Sequence, residues 1–261
     1  TCPACPAAKP SNTSTDMAPP TPEPAPLPPD TSTPAPSVDR REIIGLAVPA
    51  FLALVAEPLY LLADSAIVGH LGTVPLAGLG VAASVLLTAS GLFIFLAYAT
   101  TSQVARHLGA GQRAAAISVG LDGLWLSLVI GTLAGIALAV FADPLAALFG
   151  ASDAAHAQAV TYLRVAAAGL PGMLATLAAT GTLRGLLDTR TPLVASVVGL
   201  SANVALNLLF VHGLHWGIAG SAWGTMIAQT AIALALTAVV LRGARTHAVA
   251  LRPHPGRILA A

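Results

Sequence analysis

Six polar side chains stand inside otherwise apolar stretches of this 261-residue chain: Glu57, Asp64, Asp122, Arg164, Asn203 and Asn207. If those stretches cross a bilayer, each charge is expensive. A carboxylate at the centre of a spanning helix costs about 2.5–3.5 kcal/mol on insertion scales. Such groups face a wet cavity, pair with a partner, or hold a proton or cation. Glu57 and Asp64 are seven residues apart in "EPLYLLADSAIVGHLG", which puts them on nearly one helix face about two turns apart. Pro58 follows the first acid. It lacks an N–H, so the carbonyl of Leu54 loses its helical partner, and Pro49 does the same to Gly45. Counted from Ile43, Asp64 falls about 31 Å along the helix, in the outer half. It reads as a functional carboxylate, with capping or hydration at a helix end as the plainer reading. No partner can be named for Glu57. Asp122 and Arg164 each lie about ten residues inside a span, counted at 1.5 Å per residue from opposite faces, and are expected to form a buried ion pair, because neither charge is tolerated alone. Asn203 and Asn207, at i and i+4, share a face, where side-chain amides join neighbouring helices.

The elements that must position these groups follow from composition. Hydrophobic residues make up 56% of the chain and charged ones 9%, against about 25% charged in an average soluble domain. Mean hydropathy is +0.79, which points to an integral membrane protein. The net charge of +1 argues against a nucleic-acid binder. Residues 1–38 hold twelve of the twenty prolines and are expected to be a disordered or polyproline-like tail. Cys2 and Cys5 in that tail form a CxxC with no second pair or histidine cluster beside it, so no metal centre is assigned to them. Residues 39–245 form the membrane part, with apolar segments near 43–69, 76–105, 114–142, 156–183, 191–211 and 216–241. Each is long enough to span a bilayer as helix. Residues 246–261 read as a cytoplasmic linker or truncated C-terminus.

Arginines set the orientation. Arg40, Arg41, Arg106, Arg113, Arg184, Arg190, Arg242, Arg245, Arg252 and Arg257 all fall on one side of a six-span arrangement, and the first, third and fifth loops carry no Lys or Arg. The positive-inside rule then places both termini in the cytoplasm. GxxxG spacings at Gly131/Gly135, Gly181/Gly185 and Gly220/Gly224 predict close helix packing. Trp216, at a span end, suits an interface anchor. The fold class is therefore an all-α, six-helix membrane bundle with a Pro-rich N-terminal tail.

"EPLYLLADSAIVGHLGTVPLAGLGVAASVL", "FLAYATTSQVARHLGAGQR", "TGTLRGLLDTRTPL" and "NVALNLLFVHGLHWGIAGSAWGTMIAQ" occur in that order over residues 40–245. Together they closely resemble MATE (multidrug and toxic-compound extrusion) transporters of the DinF-like branch. The resemblance implies one six-span lobe of a twelve-span, two-lobed exporter of organic cations and amphiphilic drugs, driven by H⁺ or Na⁺. It is no enzyme and needs no cofactor beyond the coupling ion. The N-lobe cation site it implies matches Asp64, Tyr162, Asn203 and Thr225, and the proline that bends the family's first span matches Pro49. Where the family often has an acid one turn after the first Asn, this chain has Asn207, which leaves Asp64 as the main titrating group and favours H⁺.

The chain is accordingly expected to be the N-terminal part of a transporter of a bacterial inner membrane, completed by a missing C-terminal lobe or a second copy. Small organic cations and membrane lipid are its partners. Three alternatives remain: a truncated, non-transporting membrane protein; a lipid-linked oligosaccharide flippase of the same superfamily, for which Arg164 is the single intramembrane cation available; and an intramembrane serine protease, whose Gly-x-Ser-Gly elbow is missing its last glycine in "GLSA" and whose histidine candidates His212, His215 and His247 fall in loops or beyond the last span.

Overall fold

The computed structural model describes residues 40–247 and 249, without the side chains of residues 40–43, 46, 47, 49, 50, 53, 54, 56, 57 and 60. The expected tail at 1–38, Cys2 and Cys5, most of 246–261, and the side chains of Pro49 and Glu57 lie outside the described residues. The described part is helical: α1 (Arg40–Gly69), α2 (Thr73–Phe93), α3 (Phe95–Gly109), α4 (Arg113–Ala147), α5 (Asp153–Ala167), α6 (Leu170–Gly185), α7 (Arg190–Asn207), a π-helical turn (Leu208–Gly213), and α8 (Gly217–Thr246).

Four of these rods are long and apolar enough to cross a membrane: Thr73–Gly109, Arg113–Ala147, Arg190–Gly213 and Gly217–Thr246. The α5–α6 pair makes a fifth if its 55° bend lies within one span. α1 has 30 residues, about 45 Å of helix, and runs unbroken through Pro49 and Pro58. The exterior is greasy, as lipid contact requires: Leu133, Ile136, Val140 and Phe141 on α4 and Val194, Val197 and Val198 on α7 are all exposed. Arg106, Arg113, Arg184, Arg190, Arg242 and Arg245 sit at the joined ends of α3/α4 and α6/α7 and at the close of α8. Ile117, Leu183, Val240 and Ala244 pack together there. This is the basic end. A second core at the far end gathers Val68, Leu79, Leu138, Tyr162, Leu163, Ile218 and Ala222.

Glycine sets the spacing of the helices. A Cβ on Gly181 would stand 2.5 Å from the Ala97 carbonyl, and one on Gly185 2.9 Å from that of Thr101, so α3 and α6 touch backbone to backbone. On α4, Gly135 and Gly131 seat the bend between α5 and α6. Pro171, at the start of α6, cannot bond the Ala167 carbonyl. That carbonyl lies 2.6 Å from where a Gly135 Cβ would be, and Pro171 Cα lies 2.7 Å from that of Gly131. A proline-freed carbonyl thus rests against a glycine Cα, a contact open to a weak Cα–H···O bond. The sharp bend follows from Pro171 and the Ala168–Gly169 break.

The same contacts fix the register of α4 against α5–α6, and they correct one expectation. Gly135 is level with Ala167, Gly131 with Pro171, and Gly120 with Thr182. Arg164 is therefore level with about Leu138, some 16 residues or about 24 Å from Asp122. The two do not form an ion pair. Asp122 is buried in the basic half of α4, and Arg164 is exposed in the last turn of α5. Counting inward from loop boundaries misjudged the depth, because α4 extends to Ala147 and α5 starts at Asp153.

Two outcomes follow. Gly181→Ala should lower the thermal unfolding midpoint in detergent, since overpacking costs about 1–3 kcal/mol. Gly91→Ala, with open space around it, should leave the midpoint unchanged or raise it slightly. A double-mutant cycle of Asp122→Asn and Arg164→Gln should show a coupling no larger than about 0.5 kcal/mol, as for independent distant sites.

Candidate cation site

Asp64 lies five residues before the end of α1, with 3% of its surface exposed. α1 packs against α7, and more lightly against α2, α8 and the π-turn, so the carboxylate points into the bundle. Its Oδ1 accepts from Asn207 Nδ2 at 2.8 Å and from the Ser221 hydroxyl. Its Oδ2 accepts from the Tyr162 hydroxyl at 3.2 Å. Donors from α5, α7 and α8 therefore converge on one acid of α1. Outside them, Asn203 Nδ2 donates to Thr225 Oγ1 at 3.2 Å. Tyr162 Oη lies 3.4 Å from the same Thr225 oxygen, and Asn207 Nδ2 lies 3.4 Å from Asn203 Oδ1. Asn203, Asn207 and Ser221 are fully buried, and Tyr162 nearly so.

Each placement has a local cause. Asn203 and Asn207 are one turn apart on α7, so both face the same neighbour. Ser221 and Thr225 are likewise one turn apart on α8. Gly220 and Gly224 let α7 close onto α8: a side chain on Gly224 would overlap the Asn207 amide oxygen, and one on Gly220 would meet the Phe210 backbone at 2.9 Å. The chain leaves α-helical geometry directly after Asn207, in the π-turn Leu208–Gly213, and such turns frequently mark functional positions. Seen along the helices, the cluster lies about 6–14 Å from the far ends at 1.5 Å per residue, well away from the arginines.

The structure thus brings together Asp64, Tyr162, Asn203, Asn207 and Thr225. It does not bring in Asp122 or Arg164. Arg164 is two residues from Tyr162, about 200° around the helix, and exposed. Pro58 is exposed on α1, away from the carboxylate. Ser221 escaped the reading of the sequence. Its signal was the spacing "SAWGT", two hydroxyls at i and i+4 interleaved with the Gly220/Gly224 pair.

Chemically this is one acid among neutral oxygens. Among the described residues no Lys or Arg ion pair is recorded for it, and a His156–Asp143 salt bridge, at 3.7 Å, lies elsewhere. No group of three or more His, Cys, Asp or Glu that could hold a metal occurs among the described residues. An ionised carboxylate only accepts hydrogen bonds, and here three donors solvate it in place of water. The Asn207 amide is oriented accordingly: its nitrogen faces Asp64, and its buried oxygen has no hydrogen-bond partner. A buried amide oxygen left so is costly, and the orientation persists because the opposite one would set oxygen against carboxylate. The cluster can hold a negative charge, neutralise it with a proton, or offer it to a monovalent cation.

Comparison with known proteins places the whole bundle. A family model described as MatE matches residues 49–209. The chain is 36% identical over 209 residues to the Arabidopsis thaliana protein DETOXIFICATION 44, chloroplastic, covering 75% of this chain and 40% of that protein. It is 33% identical over 190 residues to DNA damage-inducible protein F of Escherichia coli, covering 72% and 41%. Among solved structures, a MATE protein in its bent conformation superposes with a TM-score of 0.72 at 30% identity, over 76% of this chain and 44% of that one. A MOP superfamily transporter from Pyrococcus furiosus gives 0.70 at 30%, with the same coverage. The chain spans less than half the length of these relatives. With the MatE model over most of the helical region and the same bundle in solved transporters, the chain belongs to the MATE transporter family.

Proposed function

We propose that this chain supplies the ion-coupling lobe of a secondary transporter that exports organic cations or amphiphilic drugs in exchange for protons. The observation that carries this reading is the convergence of five hydrogen-bonding side chains from α5, α7 and α8 on or around Asp64 of α1. Members of the family are transporters rather than enzymes. The basic end faces the cytoplasm by the positive-inside rule, in a bacterial inner membrane, and the Asp64 cluster then lies toward the outside. A second six-span lobe, or a second copy of this chain, completes the pathway, in keeping with the share of each relative that the chain covers.

Protonation of Asp64 changes the hydrogen-bond polarity of the cluster. Once neutral, the carboxyl must donate as well as accept. Ser221 and Tyr162 have hydroxyls and can turn from donor to acceptor in place. Asn207 cannot: to receive the carboxyl hydrogen it flips its amide to present oxygen, and the oxygen now unpartnered becomes the acceptor; with the hydrogen on Oδ2 toward Tyr162, Asn207 keeps donating to Oδ1. That flip would also break the Asn207–Asn203 bond, and a hydroxyl that turns instead, Tyr162, also contacts Thr225 of α8, so either response carries a proton on α1 to the helices around it. Alternating access by rocking of one bundle against another can use such a local switch. Protons are favoured over Na⁺ as the coupling ion because the position beside Asp64 is the neutral Asn207, which leaves one titrating acid.

The test is efflux of ethidium from proteoliposomes carrying the chain, driven by an acid exterior. Wild type should extrude the dye faster than empty vesicles, and Asp64→Asn should abolish the proton-dependent part. Ser221→Ala removes one hydrogen bond to a carboxylate, worth about 1.5–3 kcal/mol, and should slow coupled efflux about tenfold or more at 1.4 kcal/mol per decade. Unaltered proton-driven efflux in Asp64→Asn would overturn the site. Wild-type vesicles no better than empty ones would exclude completion by a second copy; if they stayed inactive with a relative's C-terminal six-span lobe supplied, the chain would be a non-transporting membrane protein.

A further inference from the structure

At the far end, beyond the carboxylate cluster, two histidines of different helices meet. His70 follows the last residue of α1, and His212 lies in the π-turn after α7. Their rings are 6.4 Å apart between centroids and nearly perpendicular, at 80°. Both side chains are exposed. His70 Nδ1 lies 2.6 Å from the Ala66 carbonyl. A carbonyl only accepts, so Nδ1 carries the hydrogen, and Nε2 is the nitrogen left to bind a metal. A backbone carbonyl holding one ring nitrogen is the outer-shell arrangement that fixes the tautomer and raises the basicity of metal-binding histidines. Among the described residues this pair makes no hydrogen bond or ion pair with any acid.

We propose that His70 and His212 form a two-histidine site for a divalent transition-metal ion of the Zn²⁺ class, completed by water, that clips the end of α1 to the π-turn. The distances bound what is needed. With metal–nitrogen bonds of about 2.0–2.1 Å, a tetrahedral ion shared by two imidazoles holds their centroids about 5 Å apart. The rings must therefore close by about 1 Å, within reach of rotation of two exposed side chains on elements already in contact. His215, three residues after His212, sits at φ 55° in the next turn and belongs to no three-ligand group. The site is accordingly open, with two protein ligands and exchangeable waters. Imidazole and water suit Zn²⁺, Ni²⁺ and Cu²⁺, while Mg²⁺ and Ca²⁺ prefer oxygen ligands. His70 is six residues beyond Asp64 and His212 five beyond Asn207, so the clip spans the two helices whose hydrogen bond closes the carboxylate cluster. The site rests on this geometry alone and needs no transport activity.

The experiment is Zn²⁺ titration of the full chain in detergent, by calorimetry and by thermal unfolding. Cys2 and Cys5 are changed to Ser in every sample so that the tail thiols do not compete. Saturable binding of about one Zn²⁺ per chain is expected, with a rise in the unfolding midpoint as mass action requires, and no response to Mg²⁺. His70→Ala and His212→Ala should each lower the affinity at least about tenfold, while His215→Ala and His156→Ala keep it; loss of a group that only orients a ligand already costs about 10–100-fold, and loss of the ligand itself costs no less. The zinc-free unfolding midpoint of each variant shows that it is folded. Absence of saturable binding, or binding that survives both His70→Ala and His212→Ala, would overturn the proposal.

Discussion

The hydrogen bond from Asn207 to Asp64 is the interaction on which the far half of this bundle depends. It joins α1 to α7 across the apolar interior, and it fixes which way the Asn207 amide faces. Through that amide it reaches Asn203 and then Thr225 of α8. An acid in this position is affordable only because three neighbours donate to it at once. The carboxylate is therefore both a costly group to bury and the one that registers four helices against each other. A group with those two properties is well placed to act as a switch, since changing its charge alters every contact it organises.

Small residues make the cluster possible. Gly220 and Gly224 bring α8 within hydrogen-bonding reach of α7. Gly131 and Gly135 seat the proline bend of α5–α6 against α4, and Gly181 and Gly185 join α6 to α3. Without a hydrophobic drive between helices in lipid, close backbone approach and interhelical hydrogen bonds supply the association. The bend at Pro171 belongs to the same scheme. It divides one long rod, so that α5 presents Tyr162 to Asp64 while α6 packs between α3, α4 and α8.

Much of this was legible in the residues. Apolar segment lengths and the one-sided arginines gave the rods and their alternation, because lipid imposes a simple rule on composition. Asp64 and the Asn203/Asn207 pair stood out as polar groups where polarity is expensive. Tyr162 and Thr225 entered through family resemblance, because a Tyr or Thr in an apolar helix carries no comparable cost. Ser221 went unseen for the same reason. The Asp122–Arg164 pairing failed because depth was counted from loop boundaries, while the true register is set by glycine contacts that no single sequence displays. The 55° bend was signalled by Pro171 but not drawn, since a proline near a helix start is also compatible with a straight continuation.

The proposed exchange requires that binding of a proton and of an organic cation exclude each other, with Asp64 the group that takes the proton. The most direct measurement is proton release when tetraphenylphosphonium binds to the purified chain in weakly buffered detergent solution, scanned across pH. Linkage predicts that, where Asp64 is protonated in the free protein, each bound cation displaces about one proton. The displacement should vanish in Asp64→Asn. Cation binding with no proton release at any pH, or equal release from Asp64→Asn, would contradict the account.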